Sequence, residues 1–225
     1  MSKLLHIIPA AGKASRIGGI PKFLLPIGSD NFLIKFHSNL LVDNNLEIQK
    51  VIVVSSDYFE AVKRLNLDAE IVKADTKTMN ETTKVAINKF PDFNRYLITM
   101  PDTFFEDKNV IKNLVKKSTD NEVNISLALW KIKTFQKGKL GQVKTTKGYV
   151  QDVVDKDMSC NFDFAWGAIS WKSEVNNLIN SNDPHIGYII NSALKHKIKI
   201  DFIKAKKAYF DCGTFEEYSR LLRFL

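Results

Sequence analysis

A chain of 225 residues with 44% hydrophobic and 11% aromatic content carries enough apolar material for a full core, so a disordered or fibrous protein is excluded and one domain spanning 1–225 is expected. Its formal charge of +8 suits an anionic partner, whether nucleic acid, an acidic membrane surface or a phosphorylated small molecule, and fits a lysine-rich solvated surface equally well. The two cysteines, Cys160 and Cys212, stand far apart without companion ligands, imply neither a disulfide framework nor a zinc site, and suit a reducing cytoplasm.

Met1 to Lys3 leads directly into an apolar run of strand length, with no secretory pattern, and no run is long enough to cross a membrane. Short apolar runs at Leu4–Ile8, Val51–Val54, Ala69–Val72, Tyr96–Met100 and Ile125–Trp130 predict buried strands. Helical periodicity falls between them, near Phe32–Leu41, Phe59–Leu65, Thr82–Lys89 and Val110–Lys117. Strands alternating with helices predict a mostly parallel sheet covered on both faces, whose ligand crevice lies at the carboxyl ends of the strands. After Trp130 the texture changes. The segment GQVKTTKGYVQDVVDKD alternates about Thr146-Lys147-Gly148 and predicts a hairpin. FDFAWGAISW predicts a further strand, followed by helices near Glu174–Ile179 and Tyr188–Lys195, the strand IKIDFIKA and a closing helix TFEEYSRLLRFL. This half reads as an inserted antiparallel layer on an α/β body, with no Pro-, Gly- or Ser-rich linker between the halves.

The first strand runs into a loop of small residues, Ala10, Ala11, Gly12, Ala14 and Ser15, interleaved with Lys13, Arg16 and Lys22. It is not the phosphate loop of ATPases, because Gly12-Lys13 is followed by Ala14 and the earlier glycine position is Ile7. The dinucleotide fingerprint fails as well, at Ala14 and Ile17. Small residues nevertheless let backbone N–H groups approach an anion, Arg16 offers a planar fork, and Lys22 follows a proline that stiffens the chain. Each cation alone reads better as a solvated surface charge; three of them on a small-residue turn at the sheet's ligand edge favour the anion.

The ordered string AGKASR, then PK, then LLPI resembles the signature of the sugar nucleotidyltransferases, the nucleotide-sugar pyrophosphorylases, with Ala14 where that family has its second glycine. The resemblance extends along nearly the whole chain. YLITMPDTFFED ends a strand in Asp102, and YFDCGTFEEY places Asp211 before Gly213-Thr214. By resemblance these two hold a divalent cation, Mg²⁺, which prefers oxygen ligands from one or two carboxylates plus substrate phosphates. Read alone, each aspartate is a turn or helix-capping residue. GYVQDVVDKD followed by FDFAWGAISW resembles the block that binds the acceptor: Lys156 matches the lysine on the acceptor phosphate, Asp155 an acid on sugar hydroxyls, Gly141 a glycine near the sugar, and Trp166-Gly167 the wall of that pocket. Asp155 is one methylene shorter than the family's glutamate and Asp157 replaces its proline. Lys156 reads equally as a surface lysine between two aspartates.

The resemblance implies a Rossmann-like nucleotidyltransferase fold, with residues 1–130 as nucleotide-binding half and 131–225 as sugar-phosphate-binding half and closing helix. It implies a single displacement in which a sugar 1-phosphate attacks the α-phosphorus of a nucleoside triphosphate, with Ala10, Ala11, Gly12, Lys13, Ser15, Arg16, Lys22, Thr82 and Asp102 on the nucleotide. Arg16, Lys22, Asp102, Lys156 and Asp211 then carry the chemistry by positioning and charge neutralisation. Thr82 and Thr83 read as opening a helix, as nucleotide contacts or as caps; the base-reading elements of the family are missing from DTKTMNETTKVAI. His6, His37, His185 and His196 form no metal-binding spacing. Three other readings stay open. A cytidylyltransferase acting on phosphocholine or another phosphorylated alcohol would share the loop and the first aspartate. The lysines of LKHKIKIDFIKAKK suggest nucleic acid, although Ile198, Ile200 and Ile203 alternate as strand core and neither nucleic acid nor membrane is the expected partner. A scaffold that kept the fold without activity is the last. Nucleobase, sugar and oligomeric state are open.

Overall fold

The computed structural model describes residues 3–12, 20–29, 31–41, 46–119 and 123–225. In chain order it contains β1 (Lys3–Ala10), α1 (Leu33–Ser38), β2 (Glu47–Val54), α2 (Phe59–Lys63), β3 (Glu70–Lys73), α3 (Met79–Lys89), β4 (Arg95–Thr99), β5 (Thr103–Phe105), α4 (Asn109–Ser118) and β6 (Ile125–Lys131). There follow β7 (Gly141–Thr146), β8 (Tyr149–Asp155), β9 (Phe164–Lys172), α5 (Tyr188–Lys195), β10 (Ile200–Lys204), β11 (Tyr209–Asp211) and α6 (Phe215–Phe224). Every strand expected from an apolar run forms within a few residues of its expected bounds. The helix expected near Glu174–Ile179 is instead a 3₁₀ turn over Ser173–Leu178.

Among the described residues nine strands make one sheet in the order β3-β2-β1-β4-β9-β6-β10-β8-β7. β1 pairs in parallel with β2 and β4, and β2 with β3, so the chain winds outward through β3 and then returns to the other side of β1. That reversal is a topological switch point, and the carboxyl ends of β1 and β4 flank it. The β1–β4 pairing stops at Ile7↔Ile98, which leaves Pro9, with no N–H to donate, beyond the ladder on that side. The antiparallel half is continuous with the sheet rather than a separate layer: β9 runs antiparallel between β4 and β6, and the pairings β9–β6–β10–β8–β7–β9 return on themselves. In the β7–β8 hairpin both Lys147 and Gly148 have positive φ, 43° and 89°, as the tight two-residue turn requires.

Alternation along β1 divides the core. Leu5 and Ile7 face α3 and α5, whereas Leu4 and Ile8 face α1, α2, α4 and α6. α3 and α6 start at the same device, a Thr-x-x-Glu box: Thr78 accepts from the Glu81 N–H at 3.0 Å and Thr214 from the Glu217 N–H at 3.3 Å. The caps are therefore Thr78 and Thr214, and Asp211, Thr82 and Thr83 are not caps. A pair of short strands outside the main sheet, β5 and β11, has no counterpart among the expected elements.

Candidate active site

The carboxyl end of β4 turns through Pro101 and Asp102 into β5, and β11 pairs antiparallel with β5 in the register Asp211↔Thr103. The Cys212 N–H donates to the Asp102 carbonyl at 2.8 Å, so backbone hydrogen bonds, not side-chain contacts, set the two aspartates side by side. Lys22 lies on a 3₁₀ turn that follows Pro21, and its Nζ stands 3.4 Å from Asp102 Oδ2. Burial first, then the Asp102 carboxylate and then Glu217 push the Asp211 carboxyl up to about 7. Two crowded carboxylates of this kind fit a divalent cation between them. Among the described residues no group of three or more His, Cys, Asp or Glu side chains could hold a metal, so water and phosphate oxygens would complete the shell, as Mg²⁺ prefers.

Beneath Asp102 lies a buried polar chain. His37 Nε2–H donates to the Thr103 carbonyl at 2.7 Å, which makes His37 Nδ1 the acceptor of the Thr99 hydroxyl at 3.0 Å. Thr99 Oγ1 in turn accepts from His6 Nε2–H at 2.8 Å, leaving His6 Nδ1 buried with no hydrogen-bond partner among the described residues. Both rings are fully buried and neutral: burial, reinforced by His37 and Lys50, lowers His6 to about 3, and burial lowers His37 to about 4 against the Thr103 carbonyl and Asp102. The chain fixes the backbone directly after Asp102.

Three clefts meet here. One is lined by Pro9, Ala10, Gly12, Lys22 and Asp102. A second, bounded by Gly12, Thr76, Lys77, Met79, Thr82 and Pro184, opens where the amino end of α3 meets the loop before α5. The third, of about 180 Å³, contains Asp102, Asp211, Gly141, Asp155, Lys156 and Trp166 together with Lys139 and His185. Asp102 is thus shared by the first and third clefts. Asp155 sits at the end of β8 opposite Gly141 on β7. Lys156 is held in the left-handed region, φ 52°, by its N–H bond to the Leu140 carbonyl at 3.2 Å. Asp157, where a proline was expected by resemblance, accepts from the Ser159 hydroxyl and N–H at 2.7 and 2.8 Å and closes the turn after Lys156.

The sequence of residues 6–135 matches the family of MobA-like NTP transferase domains. The chain belongs to this family. Solved nucleotidyltransferases share its fold. A protein described as a glucose-1-phosphate thymidylyltransferase from Bacillus anthracis, in complex with sucrose, superposes with a TM-score of 0.83 at 18% identity over 98% of this chain and 94% of that one. A UDP-glucose pyrophosphorylase complexed with UDP-glucose gives 0.78 at 18% identity over 100% and 98%. The inositol-1-phosphate CTP transferase from T. maritima gives 0.75 at 17% identity over 97% and 94%. No curated protein matches the chain by sequence. The protein is a nucleotidyltransferase with the expected α/β architecture, and no helix among its described residues is long and apolar enough to cross a membrane.

Of the residues expected at the transferase site, Ala10, Gly12, Lys22, Thr82, Asp102, Gly141, Asp155, Lys156, Trp166 and Asp211 line the three adjoining clefts. Ala11 is buried beside them without lining one. Gly167 lies behind the wall, its bare Cα against the rings of Trp130 and Tyr209. Lys13, Ser15 and Arg16 fall outside the described residues. Thr82 is inside α3, not at its start, with its hydroxyl 2.6 Å from that of Thr76, and Thr83 is fully buried. His185, Lys139 and Met79 were not anticipated. His185 stands alone in sequence, and its one signal is Pro184 before it, which marks a turn at the start of a predicted helix.

Proposed function

We propose that this nucleotidyltransferase moves the nucleoside monophosphate of a nucleoside triphosphate onto a sugar 1-phosphate, giving a nucleotide sugar and pyrophosphate. The observation that carries the reading is the place of Asp102, beside Asp211 and Lys22 and common to the cleft that begins at Gly12 and the cleft that holds Asp155 and Lys156. One charged centre between two clefts suits a displacement in which two phosphates meet at one phosphorus. The names of the similar structures support the acceptor class, because glucose 1-phosphate and inositol 1-phosphate are both hydroxylated ring phosphates.

In this reading a phosphate oxygen of the acceptor attacks the α-phosphorus, one P–O bond forms, the bond to the β-phosphate bridging oxygen breaks, and pyrophosphate leaves. No covalent enzyme intermediate is needed. The backbone at Ala10 to Gly12 approaches the triphosphate; Lys22, and by resemblance Lys13, Ser15 and Arg16, neutralise it and the leaving pyrophosphate. Thr82 faces the base side, and Lys156 steadies the attacking phosphate while Asp155, Gly141, Trp166 and, from behind, Gly167 shape the sugar subsite. Asp102 and Asp211 would hold Mg²⁺, whose chemistry here is charge neutralisation and alignment of phosphate oxygens. The first 130 residues serve the nucleotide and the remainder the acceptor. Two free cysteines suit a reducing cytoplasm, and the product is an activated sugar for glycosyl transfer into a polysaccharide.

The test is pyrophosphate release by the purified protein with Mg²⁺, scanning dTTP, UTP, CTP, GTP and ATP against sugar 1-phosphates, inositol 1-phosphate and phosphocholine. Release that requires one triphosphate and one sugar phosphate is the expected result. Release with phosphocholine alone would replace this reading with that of a phosphorylated-alcohol cytidylyltransferase.

A further inference from the structure

The cleft that holds Asp155 and Lys156 contains a side-chain pair that the motifs read from the sequence do not supply. His185 Nε2 lies 3.1 Å from Asp155 Oδ2, and the Gly187 N–H donates to His185 Nδ1 at 3.2 Å. The second bond decides the tautomer of the neutral ring: with Nδ1 accepting, the ring proton is on Nε2 and is directed at the carboxylate. The bond from His185, ahead of the opposing cost of burial, lowers the Asp155 carboxyl. Asp155 is therefore an ionised acceptor with Oδ2 engaged. Position 187 has to be glycine for this arrangement, since a Cβ there would run into both the Trp166 indole and the His185 ring. Trp166 stands beside the pair, its ring centroid 6.3 Å from that of His185, and Tyr188 closes the other edge of the imidazole at 4.9 Å.

We propose that His185 is a specificity-determining residue for the acceptor: it holds Asp155 by one oxygen so that the other demands a hydroxyl donor from the molecule entering the cleft. This rests on the reading of that cleft as the acceptor subsite. A carboxylate whose position is free can turn toward water when an unsuitable ligand binds. Held by His185, it cannot, and a ligand with no O–H at that point shields the second carboxylate oxygen from water while giving it no donor. The side chains of His185 and Asp155 keep only 18% and 31% of their exposure, so a seated acceptor removes most of the remaining water. The chemical class selected is a polyhydroxylated phosphate, with its phosphate toward Lys156 and Lys139 and an apolar face toward Trp166. A quaternary ammonium, which has no hydrogen to donate, is rejected although the pair is anionic.

The experiment compares wild type, His185→Ala, His185→Gln and Asp155→Asn with glucose 1-phosphate, its 2-, 3-, 4- and 6-deoxy analogues, inositol 1-phosphate and phosphocholine, following pyrophosphate release across the five triphosphates. Wild type should favour a hydroxylated phosphate over its deoxy analogue by roughly 10²-fold in kcat/KM at one ring position. His185→Ala should raise the KM for that acceptor about 10-fold, leave the KM for the triphosphate unchanged and shrink the preference for the hydroxyl to a few-fold. His185→Gln, whose amide can still donate to Asp155, should recover most of it. Turnover without discrimination between any hydroxylated acceptor and its deoxy analogue, preference for phosphocholine, or equal effects of His185→Ala on both substrates would overturn the inference while leaving nucleotidyl transfer intact. Absence of turnover with every pair in a folded protein would overturn the reading of the cleft itself and the inference with it.

Discussion

Two aspartate sites face each other across the central cleft, and the protein holds them in opposite ways. Asp102 is fixed from behind by main chain and by a buried chain of neutral side chains: the β5–β11 ladder, the Cys212 N–H, and the path from His6 through Thr99 and His37 to the Thr103 carbonyl. Asp155 is fixed from the front by one imidazole on the loop before α5. The side chains behind Asp102, those of His6, Thr99, His37 and Thr103, are buried and so have little freedom to drift; the second arrangement depends on a side chain at the rim. In the proposed reading a transferase keeps the phosphate chemistry constant while acceptors vary, and rigid support at Asp102 with an exchangeable partner at Asp155 would meet both needs.

The sharpest way to break the contrast is to remove the charge on the rigid side. Asp102→Asn and Asp211→Asn should each lower Mg²⁺-dependent kcat by about 10²–10³-fold or more, with circular dichroism unchanged. Near-normal rates in both would show that the paired carboxylates are not the charged centre. Asp211→Asn should also make the protein more stable at pH 8. Its carboxyl titrates near 7, so at pH 8 the fold holds a half-buried anion against its neighbours. One pKa unit corresponds to about 1.4 kcal/mol, and allowing for the solvent that still reaches this side chain, a gain of about 2 kcal/mol is expected without added Mg²⁺. A thermal midpoint no higher than wild type would contradict the crowding argument.

The buried histidines give the next largest effect, and its sign can be worked out. Both are depressed from 6.5, to about 3 and about 4, so the unfolded chain takes up protons first and the stability they contribute is complete above pH 6.5. It is lost as the pH falls from 6.5 toward 4, by about 2 kcal/mol for each ring at pH 5. Asp211 acts in the other direction: its folded value is raised, so protonation between 7 and its ordinary value favours the fold as the pH drops. The thermal midpoint of Asp211→Asn should therefore fall more steeply than that of wild type between pH 7 and 5. Parallel curves would sink the assignment of Asp211, and a midpoint that fails to fall in Asp211→Asn between pH 6.5 and 5 would sink that of the histidines.

The sequence makes the rigid half legible because its signals are local. β1, β2 and β4 are continuous apolar runs, the loop after β1 is rich in small residues, and Asp102 follows a strand where a parallel sheet places its ligands. What brings Asp211 to Asp102 is not local. β5 and β11 are three residues each and lie about a hundred positions apart, too short for periodicity to show and joined only by tertiary pairing. The family motif supplied Asp211 where the pattern could not. His185 had neither signal, since a lone histidine after a proline carries no spacing, and its partner Asp155 is thirty positions away on a strand the motif had already explained. The T-x-x-E boxes at Thr78 and Thr214 are local signals, and they place the caps four residues before Thr82 and three after Asp211, which leaves neither of those residues a capping role.

The finest test of the contrast uses one substitution at two glycines. At Gly167 an added methyl would press on Trp130 and Tyr209, whose rings stack at 4.7 Å within the core behind the cleft wall. Neither ring has room to turn, so Gly167→Ala should act as overpacking and lower stability by about 1–3 kcal/mol. At Gly141 the methyl would meet the Trp166 indole instead, from the strand that pairs with Asp155. Trp166 is hemmed by Gly187 on its other edge but is only partly buried, so it can shift into the cleft and let the fold relax. Gly141→Ala should thus cost less than about 1 kcal/mol while raising the acceptor KM roughly 3–10-fold and leaving the triphosphate KM alone. Thermal midpoints and the two KM values separate the cases: a glycine that packs the wall moves the first, and a glycine that positions the wall moves the second. If Gly141→Ala disturbs stability as much as Gly167→Ala, Trp166 is part of the rigid core and the acceptor side is as fixed as the donor side.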